Sequence, residues 1–333
     1  MTYRVAVVGA TGAVGTVMRD KLRERAFPAS EIVPFASERS AGRELDGMTI
    51  RGLADDMIGG FDLALFSAGA TTSRAWAQKF VDAGAVVVDN SSKWRREPDV
   101  PLVVAEVNPD DLEDHKGLIA NPNCSTMQLM VALKPIHDAA GIERLIVSTY
   151  QSVSGTGVKA VEELENQTRA DLAGEPLPDP QVYPHPIAFN VLGGAGNFVD
   201  DHTDEERKMM FETRKILGDE SIAINVTCAR VPVRNCHSES VTLQTRAPLE
   251  VEEARALMAA MPGLTMVEPY PTALGSAGRD DVFVGRLRRD PSHERGLCLW
   301  VVSDNLLKGA ATNAIQIAEV LHERNLIRVP SRV

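Results

Sequence analysis

The sequence predicts an α/β domain built on a parallel, doubly wound sheet, followed by an α+β domain with a mixed or antiparallel sheet. Three observations support this. Within the first 25 residues a β-rich run enters a glycine turn and then a helical pattern. Apolar runs then alternate with helical segments up to about residue 125, as expected of parallel strands joined by helical crossovers. Beyond that point long alternating strands follow one another with fewer helices between them, as antiparallel pairing allows.

At 333 residues the chain suits two domains better than one. The expected division is 1–125, completed by a C-terminal segment 306–333, against 126–305. A net charge of −11 disfavours a nucleic-acid or membrane-surface partner, since both select for basic patches. An anionic ligand must then be held by a few placed Arg, Lys or backbone N–H groups. The four cysteines show no CxxC spacing and no secretory segment precedes them, so a reducing cytoplasm is expected and no metal is called for. No apolar run reaches the roughly 18 residues of a membrane helix.

The first strand, Tyr3 to Val8, runs into Gly9-Ala10-Thr11-Gly12-Ala13-Val14-Gly15 and a helix to about Arg25. Strand, glycine turn and helix in this order make a Rossmann-type pyrophosphate cradle, because glycines admit close approach and the helix N-terminus faces the anion. The second strand, Glu31 to Ala36, ends in Ser37-Glu38-Arg39-Ser40-Ala41-Gly42. A carboxylate here suits the ribose of NAD, whereas Arg with hydroxyls suits the 2′-phosphate of NADP; Ser37, Arg39 and Ser40 favour NADP against Glu38. Further strands are expected at 62–67, 86–89 and 102–105, with a helix at 72–83 and a basic loop, Lys93-Trp94-Arg95-Arg96, that alone reads as a solvated turn.

Cys124 lies in Asn121-Pro122-Asn123-Cys124-Ser125-Thr126, ahead of a helical pattern. A thiol at a helix N-terminus meets unsatisfied N–H groups and the positive end of the dipole, and both favour the nucleophilic thiolate. After it come a strand at 145–150, a helix at 158–172 and a Pro- and Gly-rich segment at 174–202, read as an ordered loop and candidate interface arm. Thr203-Asp204-Glu205-Glu206 fits a capping box opening a helix through Leu217, on which Met209, Thr213 and Ile216 share one face and Lys208, Glu212 and Lys215 another. Strands follow at 222–233, with Arg230, and at 240–245, with Asn235-Cys236-His237-Ser238 in between. A helix at 249–261, strands at 281–287 and 298–302, and a final helix at 310–324 close the chain. That last helix is expected to return to the first domain and bring Asn305 to the crevice. A dinucleotide site plus a thiolate suggests a covalent route through a thiohemiacetal and a thioester. Such a route needs a base, and His237 is the best placed of seven histidines.

Along nearly its whole length the chain resembles the aspartate-β-semialdehyde dehydrogenase family. The resemblance is carried by residues 9–15, 37–42, 99–108, 121–126 and 150–157, by Arg230-Val231-Pro232-Val233 with His237-Ser238, and by Ser303-Asp304-Asn305 with Lys308-Gly309-Ala310. It implies a reversible, phosphate-dependent conversion between L-aspartyl 4-phosphate with NADPH and L-aspartate 4-semialdehyde with NADP, feeding lysine, threonine and methionine synthesis, in a homodimer whose second domain carries catalysis and dimerisation. It implies Cys124 as acyl-thioester nucleophile, His237 as acid/base and Gln151 as the group that orients the thiohemiacetal. Arg230 would clamp the substrate carboxylate, Glu212 would take the ammonium, and Arg95, Asn123 and Lys215 would hold phosphate. On the coenzyme it implies Gly9, Thr11, Gly12, Ala13, Val14, Ser37, Arg39, Ser40, Ser67, Ser154, Gly155, Asn305 and Gln316.

Three positions depart from the family pattern: Cys236 where Gly is usual, Leu307 for a usual Arg, and the segment 191–196. Two rival readings are an acyl-phosphate reductase for an N-acetylated substrate such as N-acetyl-γ-glutamyl phosphate, which would leave Glu212 without an ammonium, and a non-catalytic NADP-binding module.

Overall fold

The structure, a computed structural model, describes residues 1–328. The expected completing segment 306–333 therefore lies partly outside the described residues, from 329 on. The chain divides into two compact units, Met1–Asn123 with Ala310–Val333, and Cys124–Gly309.

Unit 1 holds β1 (Tyr3–Val8), α1 (Ala13–Glu24), β2 (Ala29–Ala36), β3 (Arg51–Gly52), β4 (Leu63–Phe66), α2 (Gly69–Asp82), β5 (Val86–Asp89) and β6 (Leu118–Ala120). Leaving aside a two-residue hairpin at 44–49, the sheet order is β3-β2-β1-β4-β5-β6 with every pair parallel. This is the doubly wound dinucleotide-binding order. Both faces are covered, which is why the strands read as unbroken apolar runs. Val5, Val7, Leu63, Leu65, Val86 and Val88 join one buried cluster, which the closing helix Thr312–Glu323 completes through Ala314, Ile315, Ile317, Ala318 and Leu321. Ala6, Val8, Ala64, Phe66 and Val87 join the other, against Ala77 and Phe80 of α2.

One expected strand is corrected here. Leu102 to Ala105 is buried but makes only an isolated parallel bridge, Leu102 to Ala120, and the sheet's last strand is β6 instead. Asn108 explains the difference, since its Oδ1 accepts from Val104 N–H at 2.9 Å and its Nδ2 donates to Leu102 O at 2.9 Å. A side chain thus takes the backbone bonds that a ladder would have used.

Unit 2 begins with α3 (Cys124–Ala140) and continues with β7 (Ile142–Gln151), α4 (Val158–Ala173), α5 (Asp204–Leu217), β8 (Ala223–Arg230), β9 (His237–Thr245), α6 (Val251–Ala259), β10 (Leu264–Met266), β11 (Val282–Arg289) and β12 (Gly296–Ser303). Its sheet runs β8-β7-β9-β12-β11-β10. The outer pairs β8–β7 and β11–β10 are parallel and the three inner pairs antiparallel, so the sheet is mixed. The long segment after α4 is ordered as expected: buried Glu163 accepts from Gln181 and Val182 N–H at 2.6 and 2.7 Å, and Gln167 Oε1 accepts from Ile187 N–H at 2.8 Å. The expected capping box is formed, with Thr203 Oγ1 accepting from Glu206 N–H at 3.2 Å and Glu206 Oε2 accepting from Thr203 N–H at 2.8 Å. On this helix Glu212 is only 1% exposed, while Lys208 and Lys215 beside it are half-buried.

Candidate active site

In unit 1 the glycine turn is dictated by space. Gly9 has φ +89°, and a Cβ there would lie 2.3 Å from Ser67 O; a Cβ on Gly15 would lie 2.1 Å from Gly9 O. Only glycine fits either place. Gly12 stands at the N-cap of α1, which no side chain caps and whose first turn carries no acidic residue. A cradle too tight for side chains, closed by an uncapped helix N-terminus, fits the pyrophosphate of a dinucleotide. Thr11 beside it is exposed, and Ala13, Val14 and Ser67 are half-buried.

At the end of β2 a turn is closed by Ser40 N–H donating to Ser37 O at 2.8 Å. Ser37 and Arg39 are exposed, Ser40 is half-buried, and among the described residues Arg39 enters no ion pair. Gln316 on the closing helix donates to Glu106 Oε1 at 2.7 Å. Asp89, at the end of β5, accepts from Ser73 Oγ and Ser91 Oγ, both at 2.6 Å, and so organises the loop that carries Arg95. Burial raises the Asp89 pKa, against these hydrogen bonds and the Arg95 charge. Arg95 is buried and donates through Nη2 to Asn90 O at 2.8 Å, so the basic cluster is not the solvated turn it resembles in isolation. Asn123, also buried, is the last residue before unit 2.

In unit 2 three of the candidate side chains, Arg230, Gln151 and His237, form one row across the sheet. The register pairs Arg230 with Gln151 and His237 with Ser303, and Ser238 with Tyr150, which sets His237 beside Gln151. Neighbouring partners in a sheet share a face. The next row holds Cys228, Thr149, Glu239 and Val301, and the third Val226, Val147, Val241 and Leu299, all buried. The face therefore grades from polar at the strand ends to apolar below. The opposite face is open, with Tyr150 39% exposed and Trp300 half-buried.

Cys124 is the first residue of α3, half-buried at the helix N-terminus. Gly309 backs it: a Cβ on Gly309 would fall 2.9 Å from Cys124 Cβ. Gln151 Nε2 donates to Ser125 Oγ at 2.6 Å and to Glu205 Oε1 at 3.1 Å, which ties the row to the first turns of α3 and α5. Arg230 Nη1 donates to Ser152 O at 2.7 Å, and its backbone is clipped by the 191–196 segment, where Leu192 N–H donates to Arg230 O at 2.9 Å. The segment that departs from the family pattern thus holds the backbone of Arg230. Lys215 is half-buried one turn after buried Glu212 on α5.

His237 is 1% exposed. Its pKa falls to about 3, because burial opposes charging the ring and Arg230 repels a positive charge there, against the opposing pull of Glu205. Nδ1 accepts from Ser152 N–H at 3.1 Å and lies 3.1 Å from Ser152 Oγ. Ser154 and Asn305, expected on the coenzyme, stand in the network behind this ring. Asn305 Oδ1 accepts from Ser152 Oγ at 3.0 Å and from Cys236 N–H at 2.9 Å, and Asn305 Nδ2 donates to Ser154 Oγ at 2.9 Å. Gly155 packs on the ring, since a Cβ there would sit 3.1 Å from His237 Cε1. Cys236 has φ +72°, the left-handed region, which accounts for the family's usual Gly; burial lifts its thiol pKa to about 12. The other departure, Leu307, is buried and donates its N–H to Asp304 Oδ1 at 3.3 Å.

Sequence reasoning missed Ser152, Asn235, Asp304, Glu239 and Gly309. They are common residue types without fixed spacing, and only the pairing of β7 with β9 brings Ser152 to His237.

Two family models match the chain: a semialdehyde dehydrogenase NAD binding domain over residues 4–115 and a semialdehyde dehydrogenase dimerisation domain over residues 133–308. An aspartate-semialdehyde dehydrogenase of Aquifex aeolicus is 52% identical over 98% of this chain and 100% of its own length. The chain belongs to the aspartate-semialdehyde dehydrogenase family. Among solved members, aspartate semialdehyde dehydrogenase II from Vibrio cholerae, also solved complexed with ASA, superposes with TM-score 0.93 at 46% identity, covering 97% of this chain and 99% of that one. The Candida albicans enzyme with NADP matches with TM-score 0.76 at 25% identity, over 98% of this chain and 100% of that one.

Proposed function

We propose that this member of the family carries out the NADP-dependent, phosphate-releasing reduction of L-aspartyl 4-phosphate to L-aspartate 4-semialdehyde, in the pathway to lysine, threonine and methionine. The observation that carries the reading is the row Arg230–Gln151–His237 set across the sheet, together with Cys124 at the first position of α3. Cys124 as thiolate attacks the acyl phosphate, and the electron pair of the acyl C–O bond leaves with phosphate. A nicotinamide coenzyme, when bound, would supply the hydride that reduces the resulting thioester. Collapse of the thiohemiacetal returns the C–S electron pair to Cys124 Sγ and frees the aldehyde.

Arg230 grips the substrate carboxylate through its two-pronged guanidinium. Glu212 receives the ammonium, Gln151 fixes the reacting carbonyl, and Arg95, Asn123 and Lys215 hold the phosphate. His237 serves as the acid/base of the reaction. The exposed Arg39, with Ser37 and Ser40, supports NADP over NAD. Gly9, Thr11, Gly12, Ala13, Val14 and Ser67 receive the pyrophosphate side of the coenzyme, and Ser154, Gly155, Asn305 and Gln316 its remainder.

The chain works as a homodimer through the open face of the unit 2 sheet. Its four cysteines are free, which suits a cytoplasmic setting, and no helix among the described residues is long and apolar enough to cross a membrane.

The test is phosphate-dependent reduction of NADP by L-aspartate 4-semialdehyde, compared with N-acetyl-L-glutamate 5-semialdehyde. Turnover of the first and not the second is expected. Turnover of only the acetylated aldehyde would move the reading to the other acyl phosphate, and binding of NADP without turnover of either would leave a coenzyme-binding module.

A further inference from the structure

Below the row of candidate side chains in unit 2 lies a carboxyl without a charged partner. Glu239 is fully buried two residues into β9, and in the sheet it stands between Thr149 of β7 and Val301 of β12. Neither of its oxygens makes a hydrogen bond of ordinary geometry, and among the described residues it enters no ion pair. Its polar neighbour is the side-chain amide of Gln128 on α3, which is 1% exposed. That amide is itself half used. Nε2 donates to His237 O at 3.4 Å, while Oε1 is buried without a donor. A buried carboxylate beside this amide would leave acceptors on both side chains with nothing to accept from. One proton removes the mismatch.

We propose that Glu239 is held as the neutral acid and pairs with the Gln128 amide, and that this pair is the latch that sets the start of α3, with Cys124, against the start of β9. The positioning role rests on the acyl-thioester reading above; the protonation state does not. A carboxylic acid and a primary amide are complementary. The acid O–H donates to Oε1, one N–H of Nε2 turns to the acid carbonyl, and the second N–H stays on His237 O. Every polar atom of the pair is then engaged, as full burial demands. Gln128 follows Cys124 by four residues, so the two share one side of α3. The same helix start is tied to the sheet a second time, by Gln151 Nε2 donating to Ser125 Oγ at 2.6 Å. Both ties are amide side chains, and both reach the first two turns of the helix. Glu239 is thus a positioning residue, acting through Gln128 on where α3 presents its thiol.

The groups around the carboxyl disfavour its ionisation. Burial raises its pKa well above the ordinary carboxylate value, against the pull of the Gln128 amide. The facing residues are Gln128 on α3, Thr149 on β7 and Val301 on β12, none of them charged. One strand further, on β8, burial pushes the Cys228 thiol up, so it carries no charge at neutral pH. His237 on the same strand is kept neutral by burial and by Arg230. From α5, Glu205 and Glu206 add negative potential at Cys228, which works against a further carboxylate in that row. The cation nearest to them in sequence, Lys208, is engaged by Glu205 at 3.2 Å.

Infrared difference spectra of the full chain, wild type against Glu239→Gln, test the proton directly. At neutral pH the wild type should show the C=O stretch of a protonated carboxyl that the variant lacks; a carboxylate band in its place overturns the proposal. Urea titrations give the same answer as a sign. A folded acid that keeps its proton above the ordinary value of 4.5 binds more protons than the unfolded chain, so stability falls as pH rises. From about pH 5 to 8 the folding equilibrium constant of wild type should therefore fall relative to Glu239→Gln by up to about tenfold per pH unit. A ratio that stays level or rises overturns the proposal. Both readings come from the resting protein and hold whichever acyl phosphate is the substrate. For the latch, Glu239→Leu cannot pair and should lower kcat by about tenfold or more, with KM for the accepted semialdehyde little changed and alkylation of Cys124 by iodoacetamide slowed. Glu239→Gln, which can pair with the amide, should restore both. If Glu239→Leu does not fold, Gln128→Leu breaks the pair from the helix side and should show the same losses. The alkylation rate needs no turnover, which separates its outcome from a failure of the acyl-thioester reading. Unchanged kcat and alkylation in a folded variant that cannot pair, or losses in Glu239→Gln as deep as in Glu239→Leu, would equally overturn the proposal.

Discussion

The two units build their sites from different material. Unit 1 uses backbone: the cradle is a turn from which side chains are excluded, at Gly9 and Gly15, leaving helix N–H groups facing outward. Unit 2 uses side chains drawn from α3, β7, β8 and β9, held by a polar layer that includes Ser125, Ser152 and Asn305. The lesson concerns tolerance. A backbone site fails when an atom is added, whereas a side-chain site fails when one is removed or displaced.

The largest effect should come from removing the nucleophile. Cys124→Ser should lower kcat by about 10⁵-fold while leaving dinucleotide binding intact, as measured by coenzyme fluorescence alongside turnover. Turnover near wild type would break the comparison at its strongest point. Gly309→Ala is a sharper probe, since here unit 2 also depends on an absent side chain. The added Cβ, 2.9 Å from that of Cys124, should displace the thiol and cost about 10²-fold in kcat with stability little changed. An unaffected kcat would mean that the helix start yields to the methyl group.

Arg230→Lys should lose the two-pronged grip at a cost of about 1.5–3 kcal/mol, read as a rise in KM for the semialdehyde. An unchanged KM would remove Arg230 from the substrate. In unit 1, Arg39→Ala should narrow the preference for NADP over NAD by about tenfold, the smallest of these activity effects because the side chain is exposed. No change would shift the 2′-phosphate contact to Ser37 and Ser40.

His237 also makes a prediction about stability. Its folded pKa of about 3 lies below the ordinary value of 6.5, so between these values the unfolded chain binds the extra proton. Stability should therefore fall as pH drops from about 6.5 toward 3, by up to about 1.4 kcal/mol per unit from this residue. His115 and His137 are shifted downward by burial and act in the same direction. Urea titrations of wild type and His237→Gln should show a shallower decline in the variant, and parallel declines would contradict the buried neutral ring.

What the sequence revealed follows the same division. The cradle was legible because a strand, a glycine turn and a helix are contiguous and their spacing is a steric requirement. The parallel sheet was legible because strands covered on both faces read as apolar runs, as in Val86-Val87-Val88. Leu102 to Ala105 misled for that very reason: it is as apolar as a strand, yet Asn108 captures its backbone groups. In unit 2, the place of Cys124 at a helix start was legible from the helical pattern that follows it. The burial of Glu212 was hidden by a helical pattern in which charges at regular spacing look solvated. Ser152, Asn235, Asp304 and Asn305 were beyond reach as a network because their joining depends on pairings between residues 69 to 153 positions apart.

The account centres on a covalent intermediate at Cys124, and trapping it is the most direct test. Full-length protein mixed with L-aspartyl 4-phosphate in the absence of coenzyme, quenched in acid and mapped by mass spectrometry, should carry an aspartyl group on the peptide containing Cys124. The adduct should be absent in Cys124→Ser and should disappear from wild type when NADPH is added, with the semialdehyde released. No adduct under conditions that support turnover, or an adduct on Cys228, Cys236 or Cys298 instead, would contradict it.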